Sequence, residues 1–153
     1  MKSTPPKGVD PRVQAAAFEP ARFMTYIEKL GHSGALGIAY RAHGPDWVEL
    51  VLPYRPELVG VPATGVIASG PIISLMDMAA SLAVWVRLGH FRHQATMDLR
   101  IDYLKPATPG EAILGRGECY GVTKRVGFVR GVAHHGDPDD PIAHVTGTFV
   151  ATE

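Results

Sequence analysis

Residues 71–88 read PIISLMDMAASLAVWVRL, an apolar stretch interrupted near its middle by Asp77. As an α-helix this stretch would be about 27 Å long, which is enough to cross a bilayer. An ionised carboxylate in hydrocarbon, however, costs roughly 3 kcal/mol or more. The stretch therefore favours a helix that is buried on nearly all sides inside a protein, and no membrane insertion is expected.

The composition limits the classes of protein that the chain could belong to. The 153 residues carry 15 basic and 15 acidic side chains, and 46% of the residues are hydrophobic. This length predicts one domain with a core that needs no metal or disulfide. The zero net charge removes the bulk attraction to nucleic acids and anionic membranes, so neither is expected as a partner. The single cysteine, Cys119, and the lack of an apolar signal segment favour a cytoplasmic protein.

Shorter elements are predicted around the long helix. We expect residues 1–17 to form a flexible N-terminal tail and residues 18–153 to form a single domain. Apolar side chains at helical spacing predict a short helix over residues 18–30, which Gly31 ends. Proline and glycine are frequent in residues 54–69, which predicts an irregular loop before the long helix.

Strands account for most of the remaining chain. Residues 96–103 alternate polar and apolar side chains, which predicts a half-buried strand with Met97, Leu99, Ile101 and Tyr103 on one face. The other predicted strands are residues 36–39, 47–53, 111–120, 124–135 and 142–152. The first two of these are separated by a short turn and predict a hairpin.

The order of these elements predicts an α+β protein. One long helix would pack against an antiparallel sheet of about five to six strands, because the apolar surface of the helix must be covered. A single sheet wrapped around a helix leaves its outer face and its edges unprotected. We therefore expect the chain to associate at least as a homodimer.

A polar stripe on the long helix is the best functional clue. Ser74, Asp77 and Ser81 follow at spacings of three and four, which places them on one side of an otherwise apolar helix. Aspartate is unfavourable inside a helix and is rarely buried without a partner. Asp77 is therefore either a carboxylate at a hydrated helix edge or subunit interface, or a catalytic or ligand-orienting group. In a poorly solvated pocket its proton affinity would rise towards that of a general base.

The start of the long helix is a second candidate. The unpaired N–H groups and the positive end of the helix dipole, near Ser69 and Gly70, could polarise a carbonyl oxygen. The alternative is that Ser69 or Gly70 is simply an N-cap, which every helix needs.

Several segments together resemble a known family. They are residues 65–80, 96–103, 105–107 with Gly110, 121–125 and 143–149. Over roughly residues 36–151 the chain resembles the hotdog-fold acyl-CoA thioesterases that are similar to PaaI. The resemblance implies a long helix wrapped by an antiparallel sheet, a dimer with its active sites at the subunit interface, and often a homotetramer.

The resemblance also implies roles for particular residues. In the family pattern, the loop before the helix reads His-Gly-Gly, and an acid lies seven positions after the second glycine. Gly70 matches that glycine and Asp77 matches the acid, whereas Ala68 replaces the histidine and Ser69 replaces the first glycine. Thr96 matches a serine or threonine of the opposing strand, which would hold the attacking water or orient Asp77 across the subunit interface.

The implied reaction is hydrolysis of an acyl-CoA thioester. Asp77 would be the general base for water or the direct nucleophile, and the N–H near Gly70 would stabilise the oxyanion. The stripe adds Ser74 and Ser81 as residues near the substrate, and the resemblance adds Ala68, Ser69 and, at the phosphates of CoA, Lys124 and Arg125. The alternative is that Lys124 and Arg125 are ordinary surface charges of a solvated turn. No metal or redox cofactor is implied, since CoA belongs to the substrate.

Two other functions stay open at this point. Ala68, and Pro62 where an asparagine is often found, favour an acyl-CoA-binding protein with little or no turnover. An enoyl-thioester hydratase or dehydratase is disfavoured because residues 65–81 contain no histidine, and one would have to approach this segment from elsewhere in the fold. The histidine pairs His134-His135 and His90 with His93 lack ligands at zinc spacing, so no metal site is expected.

Overall fold

The computed structural model describes residues 17–153, so the predicted tail of residues 1–17 lies almost entirely outside the described residues. The α-helices of the described part are α1 (Pro20–Ile27), α2 (Gly31–Leu36) and α3 (Ser69–Leu88). Its strands are β1 (Ala39–His43), β2 (Trp47–Leu52), β3 (Val59–Val61), β4 (Val66–Ile67), β5 (Gln94–Tyr103), β6 (Ile113–Val122), β7 (Val126–His134) and β8 (Ala143–Ala151).

Six of the strands form one antiparallel sheet in the order β1-β2-β6-β7-β8-β5. The helix α3 packs across one face of this sheet, mainly on β2, β6 and β7. The predicted hairpin is formed by β1 and β2, and β3 pairs with β4 in a separate two-stranded ribbon. The predicted α+β architecture, one long helix against an antiparallel sheet, is confirmed.

The helix α3 is the centre of the hydrophobic core. Nine of its side chains are buried, and all nine are apolar. Gly89 ends the helix in the left-handed conformation, with a φ of 74°, which glycine adopts without strain. By length and composition α3 could cross a membrane, yet half of its most apolar stretch of 18 residues is buried inside this domain. We therefore describe α3 as a core helix, as its sequence predicts.

Glycines of the sheet allow α3 to approach closely. Gly115 and Gly117 on β6 and Gly131 on β7 face the helix. A Cβ atom added at Gly117 would lie 2.6 Å from the backbone nitrogen of Ala80, and one added at Gly115 would lie 2.6 Å from Cγ of Leu75. The helix and the sheet are therefore in contact through their backbones at this point.

The segment before β1 differs from its prediction. Residues 36–39 were expected to form a strand, but Gly31–Leu36 is a short helix that ends at Gly37, where φ is 75°. Ser33 and Leu36, three residues apart, are its buried side chains, which is helical spacing. The strand begins only at Ala39, and the prediction for residues 36–39 is wrong in its secondary structure.

The segment before α3 is more regular than predicted. Residues 54–69 contain a single turn of 3-10 helix (Pro56–Leu58), followed by the β3-β4 ribbon. The N–H of Thr64 donates to the carbonyl of Val61 at 2.9 Å, and Gly65 has a φ of 68°. A left-handed glycine closes the ribbon here, so the expected irregular loop is a hairpin.

A β-bulge in β5 changes which side chains face α3. Thr96 pairs with Phe149 and Asp98 with Thr148, so Met97 is the extra residue, and its side chain is 58% exposed. The prediction that Met97 shares a face with Leu99 is therefore wrong. One inserted residue reverses the alternation, and it brings Thr96 onto the face that α3 covers.

The close contact at Gly117 predicts a strong effect of a single methyl group. We expect Gly117→Ala to lower the free energy of unfolding by about 1–3 kcal/mol, because the new Cβ overlaps the backbone of α3. Gly121→Ala on the same strand is the control, since its Cβ would meet nothing closer than Phe128 at 3.8 Å. Urea denaturation of both variants measures the difference, and equal stability would contradict the overlap.

Candidate active site

Asp77 is the half-buried carboxylate of the polar stripe on α3. The hydroxyl of Thr96 in the same chain donates a hydrogen bond of 2.7 Å to Oδ1 of Asp77, and the bulge in β5 makes this contact possible. The expectation that Thr96 orients Asp77 across a subunit interface is therefore wrong, because β5 of the same chain reaches α3. Among residues 17–153, Oδ2 of Asp77 has no hydrogen-bond partner and neither oxygen is paired with a cation. One carboxylate oxygen is thus oriented by Thr96, and the other is available to accept a proton.

The two serines of the stripe also meet side chains from other elements. Nε2 of His32, on α2, lies 2.8 Å from Oγ of Ser74, and Ser74 Oγ donates to the carbonyl of Gly70 at 3.2 Å. Nε2 of Gln94, on β5, donates to both Oγ and the carbonyl oxygen of Ser81 at 3.0 Å. Each of the three side chains of the stripe predicted from the sequence therefore has a polar partner on another element.

The N-terminus of α3 offers two open donors. Ala68 is the N-cap, so the alternative in which Ser69 or Gly70 serves as a side-chain or glycine cap is wrong. Ala68 provides no side-chain cap, and within residues 17–153 the N–H groups of Ser69 and Gly70 have no acceptor. Pro71 has no N–H, and the space beside the α-carbon of Gly70 is open. These two donors can bind a carbonyl oxygen or an oxyanion.

Tyr103 is a group near this terminus that the sequence reasoning did not assign to the site. Its hydroxyl donates to the carbonyl of Ser69 at 3.3 Å. Partial burial raises the pKa of the Tyr103 phenol, so the group stays protonated and remains a donor at neutral pH. Its position on β5, on the same face as Leu99, was available from the alternation of the strand. His32 and Gln94 had no comparable signal in the sequence.

Lys124 and Arg125 lie far from the N-terminus of α3. They occupy the turn between β6 and β7, next to Gly127, whose added Cβ would touch Val84 near the C-terminal end of α3. Fourteen residues of helix separate that point from Gly70, a distance of about 20 Å. Nη2 of Arg125 donates to the carbonyl of Ala151, which pairs with Gln94, the partner of Ser81. Within one chain these two cations therefore lie near the Ser81 end of the stripe and far from the N-terminus of α3.

The adjacent histidines at the end of β7 have separate partners. His134 is buried, lies 3.1 Å from Glu49, and accepts a hydrogen bond from the N–H of Gly136. His135 accepts from the N–H of Thr108 at 2.8 Å. Within residues 17–153 no group of three or more His, Cys, Asp or Glu side chains is placed to hold a metal ion.

A shallow groove of about 530 Å³ lies on the sheet face opposite α3. Arg130 makes two hydrogen bonds of 3.0 Å with Glu118, and this contact lowers the pKa of the Glu118 carboxyl. The guanidinium of Arg116 lies 3.7 Å from the ring centre of Trp47. Because these groups are paired within the chain and lie across the sheet from Asp77, we place the site at α3 and not in this groove.

The fold and the site together define a class of protein. A sheet wraps a long helix that carries a carboxylate and an N-terminus with two free donors, which is the hotdog architecture implied by the resemblance. A carboxylate base and oxyanion donors are what acyl transfer to water requires. The arrangement is that of a hotdog-fold thioester hydrolase.

Comparison with known proteins identifies the family. The model of the thioesterase superfamily matches residues 64–142, just over half of the chain, and the chain belongs to this family. Among curated proteins, the medium/long-chain acyl-CoA thioesterase YigI of Escherichia coli is 28% identical over 145 residues, covering 82% of this chain and 88% of YigI.

Solved structures show the same fold. A protein from Pseudomonas aeruginosa is 39% identical, has a TM-score of 0.76, and is matched over 86% of this chain and 97% of its own. The PaaI protein from the phenylacetic acid degradation operon of E. coli has a TM-score of 0.72 at 15% identity, over 87% of this chain and 94% of its own. The resemblance to the PaaI-like hotdog family is confirmed, and so is the assignment as a thioester hydrolase.

The contact between Thr96 and Asp77 predicts a graded loss of activity. We expect Thr96→Ala to lower kcat by about tenfold, because one hydrogen bond to a charged group is lost. Thr96→Ser keeps the hydroxyl and should retain most of the activity. Steady-state kinetics of the two purified variants measure this difference, and a Thr96→Ala variant with wild-type kcat would show that the contact does not serve catalysis.

Proposed function

We propose that this protein hydrolyses acyl-CoA thioesters to the free acid and CoA, in the cytoplasm and without a metal or redox cofactor. The observation that carries the proposal is Asp77, a half-buried carboxylate oriented by Thr96 on a helix whose N–H groups at Ser69 and Gly70 are open. The name of the relative YigI, a medium/long-chain acyl-CoA thioesterase, supports CoA as the carrier.

The proposed roles follow from the geometry of α3. The N–H groups of Ser69 and Gly70 bind the thioester carbonyl and stabilise the oxyanion. Asp77 removes a proton from the attacking water or attacks the thioester carbon itself. Ser74 and Ser81, on the same stripe, contact the substrate, while Ala68 contributes only its methyl group beside the carbonyl.

The spacing along α3 supports a site that is shared between two copies of the chain. Gly70 and Asp77 are seven residues apart, about 10 Å along the helix axis. Direct attack requires the reacting atoms to lie about 3 Å apart, so the donors and the carboxylate of one helix are too far apart to act directly on one carbonyl group. We therefore propose that Asp77 acts on a thioester held by the helix N-terminus of a partner protomer.

The exposed edge of the sheet supports the same arrangement. β5 is the last strand of the sheet and has ten residues, and its far side has no strand partner within residues 17–153. Met97 and Leu104, which lie on or next to this edge, are both 58% exposed. We propose that β5 contacts a second copy in a homodimer, which in turn can form a homotetramer. Lys124 and Arg125, near the Ser81 end of the stripe, would contact the phosphates of CoA.

Ala68 favours a second candidate function. Where the family pattern has a histidine, this chain has a methyl group, so one polar group is missing from the site. Loss of one oxyanion-hole donor costs about 10²–10³ in kcat where it has been measured. The alternative is therefore an acyl-CoA-binding protein with little or no turnover.

The central prediction concerns Asp77. We expect Asp77→Asn to lower kcat by about 10³-fold or more, because the amide cannot take the proton of water, while the fold is retained. The measurement is thiol release from a panel of short, medium, long and aryl acyl-CoAs. Asp98→Asn is the matched control, since Asp98 is an exposed carboxylate on the outer face of the same strand as Thr96.

The outcomes of this assay separate the two candidate functions. Turnover that Asp77→Asn loses and Asp98→Asn keeps supports a thioesterase that has no histidine at position 68. An Asp77→Asn variant with full activity contradicts the assignment of the base. If nothing is hydrolysed while acyl-CoA raises the melting temperature, the protein binds its ligand without cleaving it.

The proposed dimer gives a further prediction. We expect Met97→Lys to shift the protein towards a monomer and to lower its activity, because a charge is placed at the exposed edge of β5. Tyr26→Lys is the control, since Tyr26 is 65% exposed on α1, which packs near the opposite edge strand β1. Light scattering after size exclusion gives the mass, and a wild-type protein that is monomeric and fully active would contradict the shared site.

A further inference from the structure

The short helix α2 brings a histidine to the active-site stripe from a distant part of the chain. His32 and Ser74 are 42 residues apart in sequence, and Nε2 of His32 lies 2.8 Å from Oγ of Ser74. Ser74 precedes Asp77 by three residues, so their Cβ atoms lie about 5–6 Å apart on the same face of α3. The imidazole is thus one hydrogen bond away from a hydroxyl that borders the catalytic carboxylate.

The backbone around His32 is held firmly, although its imidazole is exposed. Ser33 and Leu36 are buried beneath α2, and the N–H of Ile38 donates to the carbonyl of Ser33 at 3.1 Å. Nη2 of Arg55 donates to the carbonyl of Ala35. The helix therefore presents the side chain of His32 from a fixed position, and this side chain itself contributes little to the core.

Without His32, the hydroxyl of Ser74 would have only its own helix as a partner. Serine inside a helix commonly donates to the carbonyl four residues before it, and Ser74 makes this contact with Gly70 at 3.2 Å. An imidazole nitrogen can donate or accept, so His32 keeps Oγ in place whichever way the hydroxyl hydrogen points. The second contact fixes the oxygen and lets its hydrogen turn towards a bound substrate.

We propose that His32 is a positioning residue of the active site, which holds the Ser74 hydroxyl against the acyl thioester beside Asp77. The proposal rests on the proposed function of this site. His32 on α2 thus contributes an imidazole to the site, whereas the loop before α3 contributes none. Ser74 is the group that touches the substrate, and His32 acts through it.

The experiment compares His32→Ala, His32→Gln, Ser74→Ala and the double variant with wild type, using octanoyl-CoA as the substrate. We expect His32→Ala to lower kcat by about tenfold with KM changed less than about twofold, because a directional contact in the transition state is lost. Glutamine also presents an Nε2 donor, so His32→Gln should restore most of kcat. Since His32 acts through Ser74, the double variant should be no slower than Ser74→Ala alone.

Different results overturn different parts of this proposal. His32→Ala with wild-type kcat, a change in KM alone, or losses that multiply in the double variant would each show that His32 does not act through Ser74. A melting temperature that falls in parallel with kcat would also overturn the proposal, because it would assign His32 a role in folding. If wild type releases no thiol, the proposed function itself fails, whereas an Asp77→Asn loss without a His32 effect refutes only the role of His32.

Discussion

The packing of α3 on the glycines of β6 and β7 is the contact on which the rest of the structure depends. Gly115, Gly117 and Gly131 let the helix approach until its backbone touches the sheet. The buried side of α3, which lies on the sheet, is entirely apolar, and the polar side chains are confined to the part of the helix surface that the sheet does not bury. Both β5 and α2 contact this part of the helix surface, which is why Asp77 and Ser74 have partners from other elements.

Those parts of the fold that depend on local periodicity could be predicted from the sequence. The apolar run of residues 71–88 requires a buried helix, and the alternation in residues 96–103 requires a strand. The carboxylate of Asp77 could be predicted in the same way, because it is a charged side chain in the middle of an otherwise apolar helix. The order of elements then limited the fold to a helix covered by an antiparallel sheet.

The features that could not be predicted depend on contacts between distant segments. The sequence alternates without a break through residues 96–103, and only pairing with β8 shows that Met97 is the inserted residue and that Thr96 faces Asp77. In the same way, His32 reaches α3 because α2 folds back onto it. Neither arrangement leaves a trace in the local pattern.

The site also shows why a motif and its geometry can lead to different conclusions. Ala68 breaks the family pattern at the position of a side chain, but the open donors at Ser69 and Gly70 are backbone N–H groups. Their direction is set by the start of α3 and is independent of the side chain at position 68. The substitution therefore removes an imidazole and leaves the donors and Asp77 in place. The helix itself therefore keeps both the backbone donors and the carboxylate, and the imidazole nearest to them, that of His32, comes from a distant part of the chain.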